Sequence, residues 1–458
     1  MSITLVECTH CNAVVKMDAA KGTEICKFCG SPVAMPEKIK QAMAKQKRTN
    51  KIVLITLSAI IISAIILTFG SVFISKAVAS IPKILYRKNA DTYSVIGIEG
   101  NFKNGELVIP STHKGKPVTR IEHEAFAMKS EITKITIPNS VVIIDVGAFK
   151  GCEGLTSIVI PNGVKNINDR LFEGCKNLKI VTLPSTVEYI GANVFNWCAS
   201  LTDFAIPSGV KYIGDFAFGG CISLTEFTIP SSIEYIGNYA FYGCDRLTNI
   251  VISSNVTYVG PSTFSLCYDL SITWYYNDKV SVDSLRKNLT RVIFPDNIES
   301  IKDKALYNCT ALSEVAIQNG VTSIGNSAFQ GCTALTNVTI PNSVTSIGCS
   351  AFQECTSLYN IIIPNGVTSI EYATFRDCAS LTNVTISNTV TSIGESAFRD
   401  CTSLLEITIP SSVTSIENYA FNGFTANQTI YIKGHASAHS DWGSSWKYGC
   451  KAIIVWNA

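Results

Sequence analysis

The chain has little charge and few side chains suited to catalysis. Asp, Glu, Lys and Arg make up 16% of its 458 residues, and the formal net charge is +2. Such a balance leaves no basic surface large enough for nucleic acid on the repeat domain. Histidine is scarce: His10, His113, His123, His435 and His439 are the whole set. None stands where a Ser-His-Asp or Cys-His nucleophile would need it. His435-x-x-x-His439 has helical metal-ligand spacing, yet His439, Trp442 and Trp446 also form one helical stripe, as expected of a cap on the last coil. The glycines sit at repeat turns and build no phosphate loop. These absences argue against an enzyme.

What the chain does have is a repeat of 23 residues. Leu224-Thr225-Glu226-Phe227-Thr228-Ile229-Pro230 is matched by Leu335-Thr336-Asn337-Val338-Thr339-Ile340-Pro341. Behind each follow the same phases: Ile233, Ile236, Ala240, Phe241 and Cys244 in one, Val344, Ile347, Ala351, Phe352 and Cys355 in the other. A period in this range means a solenoid. The phase Leu-x-x-Val-x-Ile places its apolar side chains on one side of a short strand, with β-branched Thr facing solvent. Pro has no backbone donor and stops the ladder at the strand end. A second extended piece, Val344-Thr345-Ser346-Ile347, follows the turn, and Ser350-Ala351-Phe352 predicts a helical turn. The expected fold is a repeat solenoid, mainly β with short helical turns, around a curved parallel sheet. Between Ser253 and Pro295 the marker interval is 42 rather than two full repeats, so one coil, between Leu270 and Leu289, is short by four residues.

The motif Asn342-Ser343-Val344-Thr345-Ser346-Ile347-Gly348-x-Ser350-Ala351-Phe352 resembles the repeat of BspA-type leucine-rich repeat proteins. Ile109-Pro110-Ser111 with Gly115-Lys116-Pro117-Val118 looks like the usual first coil of that family. The resemblance covers about residues 91–458 and implies binding or adhesion at a cell surface. It fixes no ligand.

The 17 cysteines fall into two main groups. Cys8-x-x-Cys11 and Cys26-x-x-Cys29 are spaced for tetrahedral zinc and resemble a zinc ribbon, with a redox or disulfide-paired segment as the alternative. Zinc is thus the expected structural cofactor. The second group, from Cys152 to Cys401, occupies one phase of the repeat. In-register coils keep such Cβ atoms about a strand spacing apart, more than the roughly 3.5–4.5 Å a disulfide needs. These thiols are therefore expected free and buried, as weak donors to turn carbonyls.

Residues 52–74 carry no charge and are long enough for a transmembrane helix. Six basic residues, Lys38 to Lys51, precede the run closely and four follow it, favouring a cytoplasmic N-terminus and extracellular repeats. The expected organisation is a zinc ribbon at 1–36, a basic cytoplasmic linker at 37–51, the transmembrane helix at 52–74, a juxtamembrane stalk at 75–90, repeats at 91–433 and a C-terminal cap at 434–458.

For the ligand surface, the candidates are the outward strand residues Thr225, Glu226, Asn337, Tyr359, Asn360 and Asn383, in a row that equally reads as a soluble sheet face. Trp274 and Tyr276 of the short coil are either interface anchors or plugs for the defect. The functional expectation is a non-catalytic surface protein, anchored by one membrane pass, that binds a protein or other macromolecule. The alternative is a transmembrane relay or scaffold whose ribbon recruits a cytoplasmic protein.

Overall fold

The computed structural model describes residues 3–7, 14–18, 23–25, 32–34, 41, 83–100, 105–202 and 204–457. The chain divides into two units, Met1–Ala79 and Ser80–Ala458. In the first, Ile3–Glu7 pairs antiparallel with Val14–Asp18, and Thr23–Ile25 with Pro32–Ala34. The four cysteines of the expected ribbon, in the links 8–13 and 26–31, lie outside the described residues.

The second unit is a β-solenoid of about 16 turns with almost no helix. Each strand pairs in parallel with the equivalent strand one repeat later, as Tyr189–Ile190 does with Tyr212–Ile213 and then Tyr235–Ile236. The phases read from the sequence set the core. Leu224, Ile233, Ile236, Ala240, Phe241 and Cys244 are all fully buried, and the same phases are buried in nearly every coil. Phe126 through Phe264 stack face to face, with centroids 5.3–5.7 Å apart.

The Ser-Ala-Phe segments are not helical, which corrects that expectation. Residues such as Tyr239, Ser327 and Ser350 adopt φ values of 54 to 56° there, and Gly243 and Gly331, each four residues further on, adopt 66 and 74°. This left-handed interruption turns alternate amides along the solenoid axis. Tyr239, Phe241 and Gly243 donate to the carbonyls of Pro261, Thr263 and Ser265 in the next coil, and the same three-rung ladder recurs along the solenoid.

The short coil breaks this ladder but not the first sheet. Asn249–Ile252, Ser271–Tyr275, Leu289–Ile293 and Glu314–Ala316 pair continuously, with a register shift after Ile272. The second sheet stops at Tyr258–Val259, and a new one begins at Ser300–Ile301. A 3₁₀ turn, Val282–Ser284, replaces the missing segment, and Ser284 Oγ donates to Val259 O at 3.2 Å. Trp274 and Tyr276 are buried here and, with Phe294, fill the gap between the two phenylalanine columns.

The ends differ from expectation. Lys83–Lys88 pairs antiparallel with Tyr93–Glu99, so it belongs to the solenoid and not to a stalk. Ile453–Trp456 adds a further parallel strand beside Thr429–Ile432. The stripe of the cap is not helical: 434–450 is turns, with Trp442 and Trp446 buried against Phe421 and Trp456. Among the described residues no helix is long and apolar enough to cross a membrane. That finding overturns the single-pass arrangement with its cytoplasmic N-terminus and extracellular repeats. The apolar run 52–74 itself lies outside the described residues.

Candidate ligand-binding surfaces

The thiol column is structural. Cys152 through Cys267 and Cys332 through Cys401 each donate Sγ–H to a carbonyl of the preceding coil at 3.1–3.3 Å, Cys244 to Phe218 O for one. All thirteen cysteines among the described residues are free. Burial pushes Cys152 and Cys309 up to about 12, so these thiols stay protonated and are poor nucleophiles. After Cys267 and after Cys401 the next coil has no cysteine at this phase, and an amide there serves two other carbonyls of the preceding coil. Asn288 Nδ2 donates to Cys267 O and Leu270 O at 3.0 and 3.2 Å; Gln428 Nε2 donates to Cys401 O and Leu404 O at 3.0 and 2.8 Å.

The outward row of the first sheet is where the sequence placed it. Thr225, Glu226, Asn337, Tyr359 and Asn383 are exposed, and Asn360 is half-buried. Parallel bridges align Asn337, Asn360 and Asn383 in one column. Asn360 Oδ1 is buried without a partner among the described residues. Thr225 and Glu226 line a shallow depression of about 710 Å³, shared with Thr182, Phe204 and Thr228. Trp274 and Tyr276 are on no surface: Trp274 pairs in register with Ile252 and shares its inward face. Their candidacy as ligand anchors is thereby corrected. Only Tyr275 between them is exposed, at 41%.

The row of the second sheet carries a feature that the sequence reading passed over. Tyr189, Tyr212, Tyr235 and Tyr258 stack in succession, with centroids 4.8, 4.4 and 4.6 Å apart and planes within 14°. Their rings are half-buried or exposed, and Tyr258 OH donates to Asn238 Oδ1 at 3.2 Å. Burial raises the phenols of Tyr189 and Tyr212, and that of Tyr235 to about 12, so all three remain neutral donors. At the same phase the later coils carry Ser300, Ser323, Ser346, Ser369, Ser392 and Ser415. On the adjoining turns Phe216 stacks on Tyr239 at 4.7 Å, and Trp197 is 59% exposed. The signal was present in the sequence as tyrosine at one repeat spacing.

At the C-terminus His439 Nδ1 accepts from Asp441 N at 3.3 Å, and its ring lies 6.3 Å from that of His435. No group of three metal-binding side chains occurs among the described residues.

Solved structures similar to the chain include a leucine-rich repeat protein from Bacteroides ovatus, 25% identical, covering 82% of this chain and 99% of that one with a TM-score of 0.48. A leucine rich cell surface protein from Faecalibacterium prausnitzii is 27% identical, covering 80% and 95% with a TM-score of 0.39. A leucine-rich repeat protein from Eubacterium ventriosum is 21% identical, covering 80% and 91% with a TM-score of 0.33. No curated protein matches the chain. The family model of the BspA type leucine rich repeat region matches residues 119–208, 188–284, 284–382 and 368–441, more than half of the chain, which therefore belongs to that family.

Proposed function

We propose that this chain is a non-catalytic recognition protein whose solenoid binds a macromolecular ligand, a protein in the first instance. The observation that carries the reading is the contrast within one column: Tyr189, Tyr212, Tyr235 and Tyr258 against six serines at the same phase. Both halves fold with the same strand pairs, so the solenoid does not require tyrosine there. Serine satisfies the structure, and the extra aromatic surface is available for binding. Tyrosine at a polar surface is a common anchor, offering large rigid area and a donor at its tip. Thr225, Glu226, Asn337, Tyr359, Asn360 and Asn383 form a second polar face for the same ligand or another.

The test replaces all four tyrosines by the serine of the later coils. Protein and glycan arrays are probed with the purified chain and with this variant. Ligands captured by the parent should be lost by the variant. An unchanged capture profile sinks the assignment of the ladder.

A second reading concerns the N-terminal unit. Its two antiparallel hairpins carry one Cys-x-x-Cys pair in each link, which supports zinc held by Cys8, Cys11, Cys26 and Cys29 as a knob for a protein partner. Zinc would supply fold stability there and no chemistry. Pull-down with and without a chelator tests it: a partner retained after chelation contradicts it.

A further inference from the structure

The break in the repeat leaves backbone donors unused. In other coils the turn amides at three alternate positions donate to the next coil, as Tyr239, Phe241 and Gly243 do. Their counterparts in the last coil before the break are Ser262, Phe264 and Leu266. None of these three amides has an acceptor among the described residues, because the coil that should supply it is the short one. Buried or cleft-facing amides are rarely left this way, since an unpaired donor costs the free energy of a lost hydrogen bond. The amides border a cleft of about 660 Å³ whose opposite wall is the segment 283–288. That wall presents Arg286 and Lys287. Arg286 pairs with Asp283, and its guanidinium sits 6.0 Å from the ring of Tyr307. Lys287 is exposed and makes no ion pair among the described residues. On the donor side Leu266 and Tyr268 are 43% and 76% exposed.

We infer that this cleft binds an extended acidic peptide segment. Its carbonyl oxygens would take the place of the missing coil as acceptors for Ser262, Phe264 and Leu266. Its carboxylates would face Lys287, and Arg286 in competition with Asp283. The donors give affinity through the main chain, as when a strand is added to an open edge. The cations select the sign of the side chains. A peptide is favoured over an acidic polysaccharide because it supplies regularly spaced carbonyl acceptors as well as negative charge. This site follows the last rung of the tyrosine ladder, Tyr258, in the same coil, but none of the four tyrosines lines it.

The experiment is hydrogen exchange by mass spectrometry on the full chain, with and without a blocked octaglutamate peptide at low salt. The segment 261–267 should exchange faster than its equivalent 238–244 in the free protein, and should slow when octaglutamate is added. In Lys287→Glu, and separately in Leu266→Glu, both at exposed positions, octaglutamate measured by fluorescence anisotropy should bind at least tenfold more weakly. Equal protection by octalysine, protection by an oligoglucuronate but not by octaglutamate, or no slowing at 261–267 under saturating octaglutamate would each overturn the inference.

Discussion

The indole of Trp197 lies across Gly220 of the next coil, so closely that a Cβ on Gly220 would sit 2.9 Å from Cε3. Gly220 also holds φ +69. The same exchange recurs where Asn308 covers Gly331 and Asp400 covers Gly423. A large side chain at this turn position is thus housed by a glycine one coil on. Gly220→Ala should destabilise the solenoid by about 1–2 kcal/mol through the left-handed backbone, plus the ring clash. Adding Trp197→Ala should recover only the clash. A double-mutant cycle by urea unfolding separates the two; strict additivity would mean that the ring is not in contact.

The thiol column predicts a graded series. Cys244→Ala should cost less than Phe241→Ala, which empties a larger volume at about 3–5 kcal/mol. Cys244→Ser should fall between, because Phe218 O remains available to a hydroxyl while the shorter bond weakens the contact. Damage should stay within one or two coils, as each touches only its neighbours. Thiol-reagent counting should find the column silent when folded and fully reactive after unfolding without reductant. Recovery of cysteine peptides paired between adjacent coils would contradict free thiols.

Alkali should unfold the protein through the same column. Burial raises Cys152 and Cys309 from 9.0 to about 12, so the neutral thiol favours the folded state. The contribution is complete below about pH 9, where unfolded thiols ionise, and is lost as pH rises from there to about 12. Each thiol contributes a slope of about 1.4 kcal/mol per pH unit in that window. Urea midpoints should be level below pH 8.5 and fall above it. Replacing Cys152 and Cys309 by Ala should flatten the fall; an identical fall would assign it to other groups.

Asn288→Ala should leave Cys267 O and Leu270 O without the amide that now serves both. The expected loss is about 1–3 kcal/mol. Gln428→Ala should behave alike at Cys401 O and Leu404 O. A change below a few tenths of a kcal/mol in both would show that solvent replaces the amides freely.

The N-terminal unit should carry one equivalent of zinc, lost in Cys26→Ser. Removing that zinc should unfold so small a unit, since binding energy would be folding energy there. Elemental analysis of the purified chain showing less than half an equivalent would refute the site.

The core was legible because stacking repeats a single set of phases. Leu, Val, Ile, Phe and Cys at fixed positions had only one inside to share, and nearly all are buried. Trp274 was legible too, had its phase been read: it stands where Ile252 stands, and the inward face follows. The tyrosine column was equally periodic, but it lies in the second sheet, away from the polar outward row of the first. The turns were not legible. Ser-Ala-Phe suits a helical turn locally, and only the next coil's carbonyls make the left-handed interruption worthwhile. The three unused amides at the break follow from that ladder, so they too were invisible in sequence. Tyr86 stacking on His113 at 3.9 Å, which ties the added first strand to the opening coil, likewise needed the fold.

The central claim is that the tyrosine ladder serves binding and not folding. The most direct measurement compares Tyr212→Ser/Tyr235→Ser with Phe241→Ala for both stability and ligand capture. The account predicts that the double serine variant loses about 1–2 kcal/mol, the scale of stacked pairs, and loses its ligands. Phe241→Ala should lose more stability and, while still folded, retain them. A serine variant that collapses like the core variant, or that stays folded and binds as before, would contradict the account.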